Sequence, residues 1–318
     1  MRHLGISGGG TKIAGLFGVA ESIIYERGYV PEIISGISAG AILALPLALG
    51  KRETIKKQVL NISMDDFFEV SPIKENGKIK IFNALWKVLT GKHYLGDQKN
   101  LEKTLAKTVS RAEFEAYKTD DTKAVCIVGS VDFYTGARLY VNLKTVSYEN
   151  FLKFVNASAS IPIFTPGIAM PSPVFDFEGE TVEFPKLLLY DGGVRDHSPT
   201  NKILSSTKSE FQVTETASIF SRPDEIRDIL NPKNFMPRNL LSILERFTEI
   251  TNAEVSKNDE YQEKSTISKK GIVDHGTFYL PRIMHGVYDV DKTRLKALYE
   301  AAKNLVNDDT WESPKAMA

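Results

Sequence analysis

The sequence contains very little cysteine and carries no net charge. One cysteine, Cys126, occurs among 318 residues, so the chain cannot form an internal disulfide, which fits either a reducing compartment or a thiol-free export route. Lysine plus arginine number 40, and aspartate plus glutamate also number 40. This balance removes the overall positive charge that draws a protein to nucleic acid, so we expect no nucleic-acid partner.

Long hydrophobic runs are also absent. The extended apolar stretch at residues 39–50 is interrupted by Pro46 and is shorter than the roughly 20 residues that cross a bilayer, so it predicts a buried helix. No secretory leader is recognisable at the amino terminus, because a strand pattern begins where its charged and apolar regions would lie. The sequence therefore predicts a cytoplasmic protein.

Strand and helix patterns alternate along the first 50 residues. Apolar residues at 2–7 and 30–36 predict strands, residues 14–28 have the apolar spacing of a helix, and the apolar run follows as a second helix. This order predicts an α/β fold of three layers, in which a mostly parallel central sheet lies between helices. Further strand candidates are residues 123–133, 137–146, 186–193 and 211–221.

The strand and helix patterns follow one another without a recognisable domain boundary. No Gly/Ser-rich linker, internal repeat or low-complexity tract divides the chain, so we predict a single domain over residues 1–318. Residues 61–123 are charged and helical in pattern, and they predict an inserted region between two early strands. Residues 205–318 are expected to pack on the core as helices and strands, with amphipathic helices in 238–255 and 291–308.

The first strand leads into the glycine-rich stretch "GISGGGTK", residues 5–12, which resembles two phosphate-binding loops. A Walker A loop requires lysine before the hydroxyl residue, whereas here Thr11 precedes Lys12. A dinucleotide-binding loop requires a third glycine where this chain has Ile13. Both matches are incomplete, so a phosphate- or nucleotide-binding module is an alternative rather than the favoured interpretation.

The same glycines permit an oxyanion hole. Backbone N–H groups of Gly8, Gly9 and Gly10 can turn toward one point because no Cβ obstructs them. A plain strand-to-helix turn explains three glycines equally well, so the loop alone does not decide between these interpretations.

Ser38 lies in "GISAG", residues 36–40, between a strand rich in β-branched residues and an apolar helix. This G-x-S-x-G pattern in a strand–turn–helix context is typical of a nucleophile elbow. A serine N-cap on a glycine-rich turn is the simpler alternative. The context favours Ser38 as a nucleophile.

A serine nucleophile requires a base. Asp191 ends an apolar strand and begins "DGG", and its alternative, a hairpin turn, is disfavoured because Pro199 follows after too short a run for a return strand. A histidine triad is the other possibility, for which His275 is the best candidate. The residues alone leave Asp191 and His275 open.

Taken together, the motifs "GGGTK", "GISAG" and "DGG" in this order resemble the patatin-like phospholipase family. Two longer blocks, residues 154–166 and 189–200, are similar as well, so the resemblance covers roughly residues 3–204.

The resemblance implies a patatin-like fold and a lipid acyl hydrolase that cleaves fatty-acyl esters of phospholipids or other lipids through an acyl-enzyme. It implies Ser38 as nucleophile, Asp191 as general base, and Gly8, Gly9 and Gly10 as the oxyanion hole. Lys12 matches the basic residue of the loop, whereas Ile13 replaces a glycine found in many members. The expected partner is lipid or phospholipid substrate, and neither a cofactor nor a metal is implied. A His-triad esterase or peptidase and the phosphate-binding module remain the alternatives.

A membrane-contact helix is predicted within the insertion. At residues 78–90, apolar side chains including Trp86 recur at helical spacing and are edged by lysines. Such a face suits the headgroup region of an anionic bilayer, so peripheral membrane contact there is one prediction. A core-facing helix with solvated lysines is the simpler alternative.

Overall fold

The computed structural model describes residues 1–72, 90–92, 94–170, 174–175, 178, 181–182, 187–224, 240–285 and 288–311. The strands are β1 (Arg2–Ile6), β2 (Ile33–Ile37), β3 (Val125–Asp132), β4 (Arg138–Asn142), β5 (Ile168–Met170), β6 (Val174–Phe175), β7 (Thr181–Val182), β8 (Leu187–Asp191), β9 (Glu215–Phe220) and β10 (Val273–Tyr279). The helices are α1 (Ile13–Glu21), α2 (Ala39–Ala48), α3 (Arg52–Leu60), α4 (Lys99–Thr108), α5 (Arg111–Thr119), α6 (Tyr148–Ser158), α7 (Thr200–Leu204), α8 (Leu240–Lys270) and α9 (Lys292–Lys303).

A mixed sheet forms the centre of the molecule. Its strand order is β10-β9-β1-β2-β3-β8-β5, and β4 pairs with β3 off this path. The five strands β10, β9, β1, β2 and β3 are parallel, whereas β4 and β8 run antiparallel to β3, and β5 runs antiparallel to β8. The predicted, mostly parallel central sheet is therefore confirmed.

Helices cover both faces of this sheet. Neighbouring strand residues alternate between faces, so Ile34 joins a large buried cluster with α1, α2 and α6, whereas Ile33 joins a second cluster with Ile203 of α7. The long helix α8 packs on α7 and so lies on that second face. The three-layer α/β/α architecture that the sequence predicts is thus present.

Most strand and helix predictions are confirmed. The elements that were not predicted are the helices α3, α6 and α7 and the strands β5, β6, β7 and β10, and α8 differs in length. Strand β10 was not predicted because its burial does not alternate and Gly276, at φ +136°, interrupts its pairing with β9. Helix α8 extends over 31 residues, well past the predicted end at residue 255. The extent of the single domain, 1–318, stays a prediction.

Two predictions concern membranes. The predicted membrane-contact helix at 78–90 lies outside the described residues except for its last position. Within the described residues, no helix combines the length and the apolar character needed to cross a bilayer.

Candidate active site

Two strand ends meet on one edge of β3. Strand β2 pairs with the first part of β3, ending at Ile37 opposite Gly129, and β8 pairs with the last part, where Asp191 lies opposite Ser130. Because β4 occupies the other edge, β2 and β8 share this edge and point toward each other. Since Gly129 and Ser130 are consecutive, the residue after Ile37 is brought directly against Asp191. The sheet register therefore places Ser38 beside Asp191.

Ser38 occupies the sharp turn between β2 and α2. Its backbone has φ +54° and ψ −117°, a conformation that L-residues rarely adopt, and only 6% of the residue is exposed. The flanking glycines are needed because the chain passes too close for side chains. A Cβ at Gly36 would lie 2.3 Å from the Gly40 backbone, and a Cβ at Gly40 would lie 2.2 Å from the Ile6 carbonyl oxygen. This is the geometry of a nucleophile elbow at a helix N-terminus.

The end of α6 fixes both Ser38 and Asp191. The Ser158 hydroxyl accepts a hydrogen bond from the Ser38 N–H at 2.9 Å and donates to the Gly129 carbonyl at 2.5 Å. Two residues later, the Ser160 carbonyl accepts the Asp191 N–H at 2.9 Å. Both serines lie in the block at residues 154–166 that resembles the family, but the sequence gave no reason to single them out. Their hydrogen bonds make Ser158 and Ser160 positioning residues, which sequence reasoning missed.

Asp191 is a buried carboxylate that lies beside Ser38. Burial raises the pKa of Asp191 to about 6, while hydrogen bonds from the Ser38 side chain and from the Gly193 N–H work in the opposite direction. The Gly193 nitrogen lies 2.8 Å from Asp191 Oδ1. The carboxylate is therefore ionised at neutral pH and has a raised affinity for a proton, which suits a base that must accept one.

Because the pKa of Asp191 is raised, Asp191→Asn is predicted to remove part of the pH dependence of the unfolding free energy. A carboxyl whose pKa rises on folding favours the folded state below its unfolded pKa and loses that contribution as pH passes its folded pKa. With its pKa raised from the usual 3.8 to about 6, Asp191 alone should contribute a loss on the order of 3 kcal/mol of unfolding free energy to the wild type between pH 3 and pH 8. Asp191→Asn should not share this loss. Urea unfolding at both pH values measures it.

The matched control for this prediction is Asp121→Asn, at an exposed carboxylate. This substitution should leave the pH dependence of the unfolding free energy as it is in the wild type. An unchanged pH dependence in Asp191→Asn would show that burial does not raise the pKa of Asp191.

The glycine loop runs beside the elbow. A Cβ at Gly8 would lie 3.3 Å from Ser38 Cβ, and Gly10 adopts φ +55° at the start of a 3₁₀ turn. The Gly8 N–H already donates to the His197 carbonyl at 3.1 Å. Within the described residues, the N–H groups of Gly9 and Gly10 have no acceptor. These two donors are the ones available to a bound oxyanion.

Lys12 links the glycine loop to the residue that follows β9. Its ammonium donates to the Ser221 carbonyl at 3.1 Å, just beyond the end of β9, and its backbone N–H donates to Gly9 at 3.1 Å. Burial, together with the positive charges of Lys12 and Arg222, lowers the pKa of His197 to about 4. His197 is therefore neutral at neutral pH.

His275, the sequence candidate for a histidine triad, is far from Ser38. Its Nε2 lies 2.9 Å from a Glu215 carboxylate oxygen, and its ring stacks on Trp311 at 4.8 Å. Glu215 begins β9, whereas Ser38 follows the opposite ends of the parallel strands, roughly 15–20 Å away at about 3.3 Å per residue. The assignment of His275 as a base for Ser38 is therefore wrong.

A cleft opens above Ser38. Its walls are mainly apolar. They are formed by Gly10, Thr11, Ser38, Ala39, Ile42, Phe67, Phe68, Gln98, Ala159, Ile161 and Tyr288. Most of these residues carry no sequence motif, and they meet only because the insertion, the end of α6 and the segment before α9 converge on the elbow. An apolar cleft beside a serine suits an acyl chain.

Among the residues that the structure describes, no group of three or more histidine, cysteine, aspartate or glutamate side chains is arranged to hold a metal ion.

Comparison with known proteins identifies the family. The structure resembles that of VipD from Legionella pneumophila at 15% identity and a TM-score of 0.39, over 85% of this chain and 67% of the VipD chain. No curated protein matches the sequence. The model of the patatin-like phospholipase family matches residues 4–203, more than half of the chain. The chain therefore belongs to the patatin-like phospholipases, a family of lipid hydrolases.

Proposed function

We propose that this protein is a serine acyl hydrolase that cleaves fatty-acyl esters of phospholipids or other lipids through a Ser38–Asp191 dyad. The observation that supports this most strongly is the sheet register, which places Ser38, held at a strained elbow, beside the buried Asp191. A carboxylate with a pKa near 6 is ionised at neutral pH yet basic enough to accept the serine proton. The family membership gives the substrate class.

The first half-reaction forms the acyl-enzyme. Asp191 accepts the Ser38 proton as the serine oxygen attacks the ester carbonyl, and the negative charge moves to the carbonyl oxygen. The N–H groups of Gly9 and Gly10 stabilise this oxyanion, since the Gly8 N–H is already bonded to His197. When the tetrahedral intermediate collapses, the ester C–O bond breaks and protonated Asp191 returns its proton to the leaving oxygen.

The second half-reaction releases the fatty acid. Asp191 takes a proton from water, the resulting hydroxide attacks the acyl carbonyl, and the proton returns to the Ser38 oxygen as the acyl bond breaks. One carboxylate thus serves both steps. The fatty-acyl chain occupies the apolar cleft, where Phe67, Phe68 and Ile161 replace water around its methylene groups.

The proposed reaction takes place on lipid, which requires access to a lipid surface. Peripheral contact through residues 78–90 and a cytoplasmic location stay predictions, because only position 90 of this range is among the described residues. A vesicle-binding assay of Trp86→Ala in the full-length protein tests the contact.

The experiment that tests the proposed function is labelling with a fluorophosphonate, followed by peptide mapping. The phosphonyl group should attach to Ser38, because only an activated serine displaces fluoride at a useful rate. The labelling rate should fall as pH drops below about 6, since protonated Asp191 cannot accept the serine proton. Ser38→Ala should not be labelled.

Two results would contradict the proposal. One is labelling of another serine at the wild-type rate in Ser38→Ala. The other is an unlabelled wild-type protein that is stabilised against heat by nucleotide, with the same stabilisation in Ser38→Ala. The second result would favour the phosphate-binding alternative.

A further inference from the structure

The first glycine of the loop, Gly8, is held from both sides by hydrogen bonds. Its N–H donates to the His197 carbonyl at 3.1 Å, in the segment that follows β8. Its own carbonyl accepts a hydrogen bond from the Ser221 hydroxyl, just beyond the end of β9. Because Gly9 and Gly10 follow directly in the chain, the direction of their N–H groups depends on how these two anchors hold Gly8.

Helix α8 binds the first of these anchors through Asp259, although the helix lies beyond the residues 4–203 that match the family model. One carboxylate oxygen, Oδ2, accepts the His197 N–H at 2.5 Å and the Ser198 N–H at 3.3 Å. Burial raises the pKa of Asp259 to about 6, while the two N–H groups lower it, so the carboxylate is ionised at neutral pH. A hydrogen bond to an ionised acceptor is stronger than one between neutral groups, so Asp259 holds the backbone of His197 firmly.

The same helix binds the second anchor through Arg222, two residues beyond the end of β9. The Arg222 Nε donates to the Ser256 hydroxyl at 2.8 Å, and its guanidinium forms an ion pair with Glu260. Ser256, Asp259 and Glu260 are three and four positions apart, so they share one face of α8. One face of α8 therefore contacts both segments that hold the glycine loop.

The buried face of α8 is polar where it meets these segments. Ser256, Asp259 and Glu263 are each at most 4% exposed. A helix usually packs on a sheet through apolar side chains, because a buried polar group costs free energy unless it is hydrogen-bonded. Packing alone therefore does not require a carboxylate at position 259, whereas the backbone N–H of His197 does require an acceptor there.

We propose that Asp259 is a positioning residue, which orients the oxyanion donors of the glycine loop through the backbone of His197. This inference rests on the proposed acyl transfer by Ser38. Without the Asp259 carboxylate, two backbone N–H groups lose their acceptor, and the His197 carbonyl shifts together with the Gly8 N–H that it binds. The donors that follow Gly8 then no longer point at the oxyanion.

The test compares Asp259→Ala with Asp259→Asn by steady-state kinetics on a soluble ester. Asp259→Ala should lower kcat by at least about tenfold, since a displacement of about 1 Å in an active site can cost about 10²-fold. The change in KM should be smaller, because the oxyanion exists only in the transition state. Asp259→Asn keeps an oxygen acceptor in a side chain of the same shape, so it should keep kcat close to the wild-type value. If Asp259→Ala does not fold, Asp259→Ser takes its place, because its hydroxyl is too short to reach both N–H groups.

A double-mutant cycle with Gly10→Ala shows whether Asp259 acts through the loop. Gly10→Ala already misaligns one of the donors that Asp259 positions, so the loss of kcat in the double variant should be smaller than the product of the two single losses. Glu254→Ala is the matched control, because it removes an exposed carboxylate from the same helix and should leave kcat unchanged. Urea unfolding shows that each variant is folded.

The outcomes separate this inference from the function on which it rests. Three results in an active enzyme overturn the role of Asp259 alone: wild-type kcat in the folded Asp259→Ala or Asp259→Ser variant, an equal loss in Asp259→Asn, or single losses that multiply in the cycle. A wild type without Ser38-dependent turnover overturns the acyl transfer and the role of Asp259 together. A loss of kcat that Asp259→Asn restores, and that Gly10→Ala diminishes, supports both.

Discussion

Ser38→Ala is expected to lower kcat on a lipid ester by at least about 10³-fold, and Asp191→Asn should cost a similar factor. Without the hydroxyl no acyl-enzyme forms, and without the carboxylate the hydroxyl keeps its proton and remains a poor nucleophile. Because the two groups act as one unit, the double variant should be no slower than the slower single variant. Turnover of a defined phospholipid, measured by released fatty acid, gives these three values.

Control variants must show that the loss of turnover in Ser38→Ala and Asp191→Asn does not come from unfolding. Asp191→Asn is expected to be at least as stable as the wild type at pH 8, because it removes a buried charge. Ser205→Ala and Asp121→Asn make the same chemical changes at exposed positions and should retain full turnover. A folded Asp191→Asn protein with near wild-type turnover would contradict the dyad and would require another base.

Much of the fold is predictable from local patterns. Strands β1, β2, β3 and β8 are short apolar runs bounded by glycine or by charged residues, and buried parallel strands have this pattern. Helix α2 follows its strand without polar residues because it is buried between the sheet and other helices. Strand β10 was not predictable in this way, because it lies at the sheet edge and takes its pairing from β9 rather than from its own alternation.

The central residues of the candidate site could be proposed from the sequence because glycines lie next to them. The elbow at Ser38 and the turn after Asp191 need close backbone approaches, and glycine is the residue that permits these. The register that brings the two together could not be predicted, because it depends on β8 sharing an edge of β3 with β2. Sequence reasoning identified both residues but not the reason for their contact.

No sequence motif identifies the residues that surround Ser38 and Asp191. Ser158 is one of several serines in its segment, and only the positions of Ser38 and Gly129 make its hydroxyl a link between them. Tyr288 is separated from Ser38 by 250 positions of sequence and reaches the cleft through packing on Phe68 and Phe164. Contacts of this kind depend on tertiary structure, which a local pattern does not encode.

Gly10→Ala is expected to lower kcat by about 10²-fold with a smaller effect on KM, the size found for losing one oxyanion donor. Gly10 has φ +55°, so a side chain there strains the backbone and turns the N–H away from the point that it shares with the Gly9 N–H. The oxyanion exists in the transition state and not in the bound ester, which is why kcat should carry the loss. Steady-state kinetics on a soluble ester measure both constants.

Gly50→Ala separates this catalytic effect from backbone strain. Gly50 also has a positive φ, +70°, and an added Cβ would have no atom within 4 Å, so its substitution carries a similar conformational cost of about 1 kcal/mol far from the loop. The two variants should lose similar unfolding free energy in urea, while only Gly10→Ala loses turnover. If folded Gly10→Ala turned over ester as fast as Gly50→Ala, the loop would be only a structural turn. The oxyanion would then require other donors. The nearest in sequence to Ser38 is the Ala39 N–H at the start of α2.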